Sequence, residues 1–142
     1  MMKLMPGLDS SASALQAERV RLEVIAQNIA NANVTKMPNG KPYQRQIVNF
    51  ETLLQEKLGS NSEVVPQLVK VAKVTKDQGP PNEVYQPGHP DADSTGIVHY
   101  PNVNIHEEMA DMIASSRAYE ANLAVIKNAR SMTLQTLAIG RR

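Results

Sequence analysis

The C-terminal stretch of residues 104–139 limits the folds open to this chain more than any other feature, because its 36 residues contain no proline or glycine. A helix of that length would be about 50 Å long at 1.5 Å per residue, which is longer than a small globular domain can cover. Apolar residues recur along it at steps of three and four, as one helix face requires. The predicted face consists of Ile105, Met109, Met112, Ser116, Tyr119, Leu123, Ile126, Arg130, Thr133 and Leu137. Such a helix needs a partner along its length.

Two features refine this C-terminal helix. Asn104 or Asn102 is suited to cap its start, and Asn104 has the spacing of a capping box with Glu107. Arg130 and Thr133 interrupt the apolar face, so we expect the apolar stripe to shift by one position near them.

A second helix is predicted near the N-terminus, capped by Asp9, Ser10 or Ser11 and continuing to about Ala32. We expect it to end at Asn31 or Asn33, since asparagine tolerates the left-handed conformation that terminates helices. An apolar stripe at a step of seven runs along it through Leu8, Leu15, Leu22 and Ile29, with Ile25 beside it.

The middle of the chain reads as loops and short strands. Eight of the nine prolines and five of the seven glycines lie between residues 37 and 102. Strands are predicted at residues 43–50, 64–75 and 96–100, with an extended piece at 83–90. In the second strand Val69, Val71 and Lys73 are expected to share one face. Residues 50–58 could instead form a short amphipathic helix closed by Gly59.

The predicted fold is therefore mainly α with a small β insert. Residues 1–33 and 104–142 would form an antiparallel, coiled-coil-like helix pair, and residues 34–103 a proline- and glycine-rich insert of short antiparallel strands. With one Phe, four Tyr and no Trp, such a chain has little aromatic mass for a compact core.

Composition excludes several classes of function. The absence of cysteine excludes disulfides, thiol nucleophiles and thiolate metal sites. A net charge of +1 with mixed signs argues against nucleic acid as a partner. The apolar stripes are narrow and lack a Trp or Phe anchor, so direct lipid binding is not expected. No secretory signal or membrane span is apparent, which leaves a cytoplasmic protein or one exported without a cleaved signal.

Enzymatic candidates are weak. His89, Asp91 and Asp93 could supply metal ligands for a hydrolase, but the same residue types beside proline and glycine are ordinary turn formers. His106 and Glu107 resemble the start of a zinc-protease helix, whose second histidine would fall on Ala110. We expect no enzymatic activity, no cofactor and no bound metal.

Several motifs in order along the chain resemble the axial proteins of the bacterial flagellum, the rod and hook group. The terminal helices carry residues 11–22 (SASALQAERVRL), 28–32 (NIANA) and 116–122 (SRAYEAN). In the middle, residues 39–43 (NGKPY), 84–92 (VYQPGHPDA), 96–98 (GIV) and 100–103 (YPNV) are similar to the proximal-rod members.

This resemblance implies a non-enzymatic subunit exported by the flagellar type III apparatus. It would assemble with copies of itself and other rod proteins into the basal-body rod, which spans the periplasm, joins the membrane ring to the hook and carries torque. A secreted coiled-coil adaptor or chaperone is the alternative. A chain of this kind cannot bury its apolar faces alone, so residues 1 to about 30 and 105–142 are expected to be mobile in dilute solution.

The residues expected to pack between helices and subunits lie on both terminal helices. Arg117, Asn122 and Arg130 are expected to make polar contacts between subunits. The full set is Leu15, Leu22, Ile25, Asn28, Ile29, Asn31, Met109, Met112, Arg117, Tyr119, Asn122, Leu123, Ile126 and Leu137.

Overall fold

The computed structural model describes residues 6–54 and 67–140. Two helices enclose four strands along the chain: α1 (Pro6–Ala30), β1 (Gln46–Leu54), β2 (Gln67–Lys76), β3 (Asn82–Tyr85), β4 (Ile97–Tyr100) and α2 (Ile105–Ile139). Two terminal helices with a small antiparallel strand region between them confirm the predicted class.

The ends of the helices follow local capping chemistry. The side chain of Asn104 accepts a hydrogen bond from the backbone N–H of His106 at 3.1 Å, so the predicted cap of α2 is confirmed. α1 ends at Ala30, one residue before the predicted stop at Asn31. The predicted start at Asp9–Ser11 is wrong, because α1 already begins at Pro6. Proline suits the first helical turn, since its φ angle is fixed and its missing N–H would be unpaired there anyway.

Strands β1 and β2 form an antiparallel pair that contains a bulge. Asn49 lies opposite Lys73, but the next residue, Phe50, lies opposite Val71, so Ala72 is the extra residue. Directly opposed residues share a face of the sheet, which places Lys73 and Val71 on opposite faces. The prediction that Lys73 shares a face with Val71 is therefore wrong, because an extra residue reverses the alternation beyond it.

The bulge lets an apolar face of this pair continue towards the helices. Val74, which lies opposite Val48, shares a face with Val71 because of the extra residue. Val48 lines a cleft of about 240 Å³ together with Val24 and Ile25 of α1. The backbone N–H of Val69 also donates to the hydroxyl of Ser13 at 3.1 Å, which ties β2 to α1.

The structure tests part of the predictions for the middle of the chain. Residues 50–54 belong to β1, so a helix starting at Phe50 is wrong, while residues 55–59 lie outside the described residues. The first part of the predicted strand 64–75 also lies outside them. β1 starts at Gln46, three residues later than predicted.

Strands β3 and β4 form a second antiparallel pair, joined by the loop of residues 86–96. Gly96 adopts φ +79° in this loop, and a Cβ at that position would lie 3.0 Å from Cε2 of Tyr85. Asp93 organises the loop, because its Oδ1 accepts hydrogen bonds from the backbone N–H groups of Thr95 and Ile97 and from the Thr95 hydroxyl. These hydrogen bonds to the ionised form lower the pKa of Asp93, the hydroxyl of Thr95 having the largest effect.

The two helices pack side by side and run antiparallel. Asn28 of α1 contacts Glu108 of α2, and Arg21, two turns earlier in α1, pairs with Asp111, further along α2. The most buried part lies where the end of α1 meets the start of α2. Ala32, Tyr43 and Val103 form a buried apolar cluster there, and the other buried apolar residues in the described parts of the chain are Ala17, Val24, Ile25 and Val98. In the described parts of the chain, neither helix is long and apolar enough to cross a membrane.

Candidate functional site

A buried group of polar side chains joins α1, the segment entering β1, and α2. We call this group the polar junction, and it consists of Asn28, Tyr43, Arg45, Gln46 and Glu108. Asn28 and Glu108 are each only 1% exposed, which is unusual for polar and charged residues. Burial of such groups is tolerated only when they are fully paired, so their hydrogen bonds determine the local structure.

Asn28 uses all the hydrogen-bonding capacity of its side-chain amide. Its Nδ2 donates to the backbone oxygen of Gln46 at 2.9 Å and to Oε2 of Glu108 at 3.1 Å. Its Oδ1 accepts from the Tyr43 hydroxyl and from the backbone N–H of Gln46, both at 2.9 Å. An amide has two N–H donors and two acceptor lone pairs, so Asn28 is saturated.

Glu108 is paired on both carboxylate oxygens. While Oε2 accepts from Asn28, Oε1 accepts from Nε of Arg45 at 2.6 Å, a short charge-assisted bond. Partial burial alone would lower the pKa of Arg45, but the hydrogen bond and the charge of Glu108 outweigh it and raise that pKa. Burial and, to a smaller extent, the same charge raise the pKa of Tyr43. The junction therefore holds one buried carboxylate, one guanidinium and one neutral phenol.

The face of α2 that packs inward consists of two rows. One row agrees with the predicted face, and the other is shifted by one residue. Met112, Tyr119 and Ile126 are partly buried, as one row of the predicted face requires. In the other row the structure buries Glu108 and Ser115, which are each 1% exposed, instead of Met109 and Ser116. Asn122 and Ala129 continue this inner row and are partly buried. Arg130 is thus an exposed residue beside the contact face, and Ala129 takes the inward position.

Three residues of the predicted packing set on α2 are exposed in the single chain. Met109, Leu123 and Leu137 are 52%, 37% and 66% exposed, so they are not buried against α1 within one chain, and their expected packing between subunits stays a prediction. Glu108 faces inward, so Met109, the residue that follows it, is turned away from α1. A hydrophobic pattern alone gave no signal for this, because it scores a buried glutamate as a surface residue.

On α1 the buried face is also displaced from the predicted stripe. Ala17, Val24 and Asn28 are buried along with Ile25, whereas the stripe residues are only half-buried and border this face. Those half-buried residues are Leu8, Leu15, Leu22 and Ile29.

The polar residues of the predicted set divide into local and exposed ones. Asn31 and Asn122 are partly buried and donate to the carbonyl four residues earlier in their own helices, at 2.8 and 3.0 Å. Arg117 is exposed. Only Asn28, among the predicted residues, takes part in the polar junction.

An exposed apolar strip remains along α2 on the side next to the contact with α1. We call it the outer apolar row, and it consists of Ile105, Met109, Ile113, Leu123, Leu134 and Leu137. Several exposed apolar side chains on one side of a helix are typical of an interaction surface.

Comparison with known proteins agrees with this arrangement of two terminal helices. The chain matches the family described as "Flagella basal body rod protein" over residues 8–36 and the "Flagellar basal body rod FlgEFG protein C-terminal" family over residues 94–139. Relatives named flagellar basal-body rod protein FlgC are 39% identical in Borreliella burgdorferi, over 97% of this chain and 98% of the relative, and 39% identical in Salmonella typhimurium, over 98% and 99%. The relative in Bacillus subtilis is also 39% identical, over 94% and 96%.

The chain belongs to the FlgC family of flagellar basal-body rod proteins. It is a structural subunit of the rod and is located in the flagellar basal body, so the resemblance found in the sequence is confirmed. A secreted adaptor or chaperone is not favoured.

The loop that contains His89, Asp91 and Asp93 serves as a turn in this FlgC-family chain. Nδ1 of His89 accepts the backbone N–H of Asp91 at 3.1 Å, and the Thr35 hydroxyl donates to Oδ2 of Asp91 at 2.7 Å. Oδ1 of Asp93 is occupied by its own loop. Within residues 6–54 and 67–140, no group of three or more acidic or histidine side chains is placed to hold a metal ion.

Proposed function

We propose that this FlgC-family chain is a subunit of the proximal rod. Its copies and other rod proteins would form a helical tube across the periplasm that links the membrane ring to the distal rod and hook and transmits torque. The observation that carries the proposal is the outer apolar row of α2, which a subunit of a multi-chain wall can cover with its neighbours. Family membership supports the rod itself, and the resemblance of the middle segment to proximal-rod proteins supports the position within it.

The same proposal assigns a separate role to each part of the chain. Residues 1–33 and 104–142 form the rod core, and residues 34–103 form an insert carried beside it. The two family matches, at 8–36 and 94–139, support these boundaries because they cover the helices and leave most of the insert between them.

We also propose that α1 and α2 pack as a short coiled-coil-like pair. The half-buried residues Met112, Tyr119 and Ile126 recur at a step of seven, as do Leu15 and Leu22 on α1. Small buried side chains support a close approach of the backbones at the contact.

Packing between subunits is assigned to the exposed part of the predicted set. Met109, Leu123 and Leu137 contact apolar surfaces of neighbouring chains, and Arg117 and Arg130 make polar contacts at the edges of those surfaces. Asn28 contributes indirectly, because its hydrogen bonds hold α1 against α2 within the subunit.

The subunit would reach the rod by export through the flagellar type III apparatus. It would act there without catalysis and without a cofactor. Its relatives' names as rod proteins support a structural role, and the part that His89, Asp91 and Asp93 play in the turn is consistent with it. Analysis of the purified protein for bound metal would contradict this if stoichiometric metal were found.

The test uses Leu123→Asp in a strain whose own copy of this gene is deleted. Placing a carboxylate in the outer apolar row should block rod assembly and swimming, while protein levels stay the same, because an unpaired charge would be buried between subunits. Ala121→Asp is the matched control, since it adds the same charge at an exposed position on the other side of α2. A swimming Leu123→Asp strain with complete rods would contradict the assigned packing face.

A further inference from the structure

The face that α2 turns towards α1 has two rows. One is the apolar row of Met112, Tyr119 and Ile126, and for the other row apolar burial alone would select the wrong residues. The inner row contains Glu108 and Ser115, whereas the row one residue later contains Met109 and Leu123. Transfer of apolar area out of water favours burying the methionine and leucine. The structure nevertheless buries the glutamate and the serine and leaves the apolar row exposed.

The polar junction explains this choice. Glu108 has both oxygens paired, one to Asn28 on α1 and one to Arg45 before β1. Adjacent positions on a helix are separated by about 100° around its axis, so turning α2 by one residue would withdraw this carboxylate from both donors. Asn28 would then lose a charged partner in a buried site and Arg45 would lose one in a partly exposed site, and the cost is larger for the buried group.

We propose that the polar junction sets the rotation of α2 about its own axis, and that it thereby keeps the outer apolar row facing away from α1. Asn28, Tyr43, Arg45 and Glu108 act as positioning residues for the packing face that lies elsewhere on α2. A buried asparagine fixes the register of some coiled coils in the same way, at a cost in stability. The use of the outer row by neighbouring subunits rests on the proposed function, whereas the rotation of α2 does not.

The contact between α1 and α2 offers a direct readout of that rotation. Stepping one turn from the Arg21–Asp111 pair places Ala17 opposite Ser115, and both are buried. The hydroxyl of Ser115 has no hydrogen-bond partner in the parts of the chain that the structure describes, so a thiol there sacrifices no observed bond. The chain has no native cysteine, which makes an engineered pair unambiguous.

The experiment compares two engineered pairs in the purified full-length chain. Ala17→Cys is combined either with Ser115→Cys or with Ser116→Cys, and the fraction of disulfide formed under the same mild oxidation is measured. We expect several-fold more cross-linking through position 115, because disulfides form only when the Cβ atoms face each other. Equal cross-linking in the otherwise unchanged chain would contradict the described rotation.

The junction is then replaced by apolar residues of similar shape, using Asn28→Leu, Tyr43→Phe and Glu108→Leu together. We expect the preference for position 115 to fall to about one, while helicity by circular dichroism is retained. The matched control carries Gln27→Leu and Glu107→Leu, the exposed neighbours of the two buried residues, and should keep the preference. A junction-free chain with an unchanged preference would overturn the proposal, because apolar packing alone would then set the rotation.

Glu108→Gln gives a second test that does not depend on the triple variant folding. The carboxylate meets Arg45 with Oε1 and Asn28 with Oε2, and in the amide one of these two oxygens is replaced by an NH2 group, so one of the two donors would face another donor. We expect a several-fold loss of the preference, and no loss would also overturn the proposal. If the cross-linking results are as expected but the Leu123→Asp strain builds complete rods, then the assigned packing face is wrong and the role of the junction stands.

Discussion

The side-chain amide of Asn28, near the end of α1, donates a hydrogen bond of 3.1 Å to the carboxylate of Glu108, near the start of α2. These two residues are 80 positions apart in the chain, and both are almost fully buried. Their contact joins the two terminal helices at the end where the insert leaves and returns. The terminal helices of this FlgC-family protein are thus held together by a polar contact as well as by their apolar residues.

Removal of one partner from this contact should destabilise the folded chain. Glu108→Ala leaves the Asn28 amide and the Arg45 guanidinium without their acceptor, and we expect a loss of about 2–3 kcal/mol in the free energy of unfolding, below the range for fully buried pairs because Arg45 is partly exposed. Urea titration followed by circular dichroism measures it. Glu107→Ala, one residue earlier and exposed, should change the free energy by less than about 0.5 kcal/mol. Equal effects of the two changes would show that the buried pair contributes nothing.

A side chain at position 96 should disturb the loop between β3 and β4. Gly96→Ala meets both an unfavourable φ of +79° and contacts of 3.0 and 3.1 Å with Tyr85 and Pro87, so we expect a cost of about 1–3 kcal/mol. Thermal unfolding of the variant gives the value. Gly88→Ala, in the same loop but with open space around it, is the control and should be nearly neutral. A neutral Gly96→Ala would mean that the loop adopts another conformation.

The order of the same loop should depend on pH through Asp93. Because the folded state lowers the pKa of this carboxyl below its ordinary value of 3.8, the stabilisation is fully present above 3.8 and is lost as the pH falls through the lowered folded value. The amide proton signals of Thr95 and Ile97 should therefore shift only at acidic pH, below the ordinary range for aspartate. Asp93→Asn should remove this titration. A midpoint at or above 3.8 would contradict the described hydrogen bonds.

The terminal helices are expected to be mobile in dilute solution outside the polar junction. The expectation covers residues 1 to about 30 and 105–142. Several large apolar residues of α2 are exposed in the single chain, among them Leu134, Leu137 and Ile139 in its last turns. Hydrogen exchange should find the strongest protection of helical amides near Asn28 and Glu108 and a decline towards residue 139. A fully helical monomer that melts in one cooperative transition would contradict this expectation.

Much of this architecture could be predicted because it depends on local chemistry. Asn104 caps α2, proline and glycine confine the strands to the middle, and heptad spacing marks the helices, all of which are properties of neighbouring residues. The resemblance of separated motifs also identified the family correctly. The predictions that were wrong concern features that depend on one extra residue or on one distant partner. An example is the bulge, in which the extra residue Ala72 moves Lys73 to the other face of the sheet.

The sequence by itself determined that two long helices flank a small β insert and that these helices have more apolar surface than one chain can cover. The tertiary structure alone decided which side of α2 faces α1. Hydrophobic periodicity favoured Met109 and Leu123, but a glutamate can be buried when an amide and a guanidinium from elsewhere in the chain satisfy both its oxygens. That pairing depends on residues 28 and 45 meeting residue 108 in space, so no pattern within α2 could reveal it.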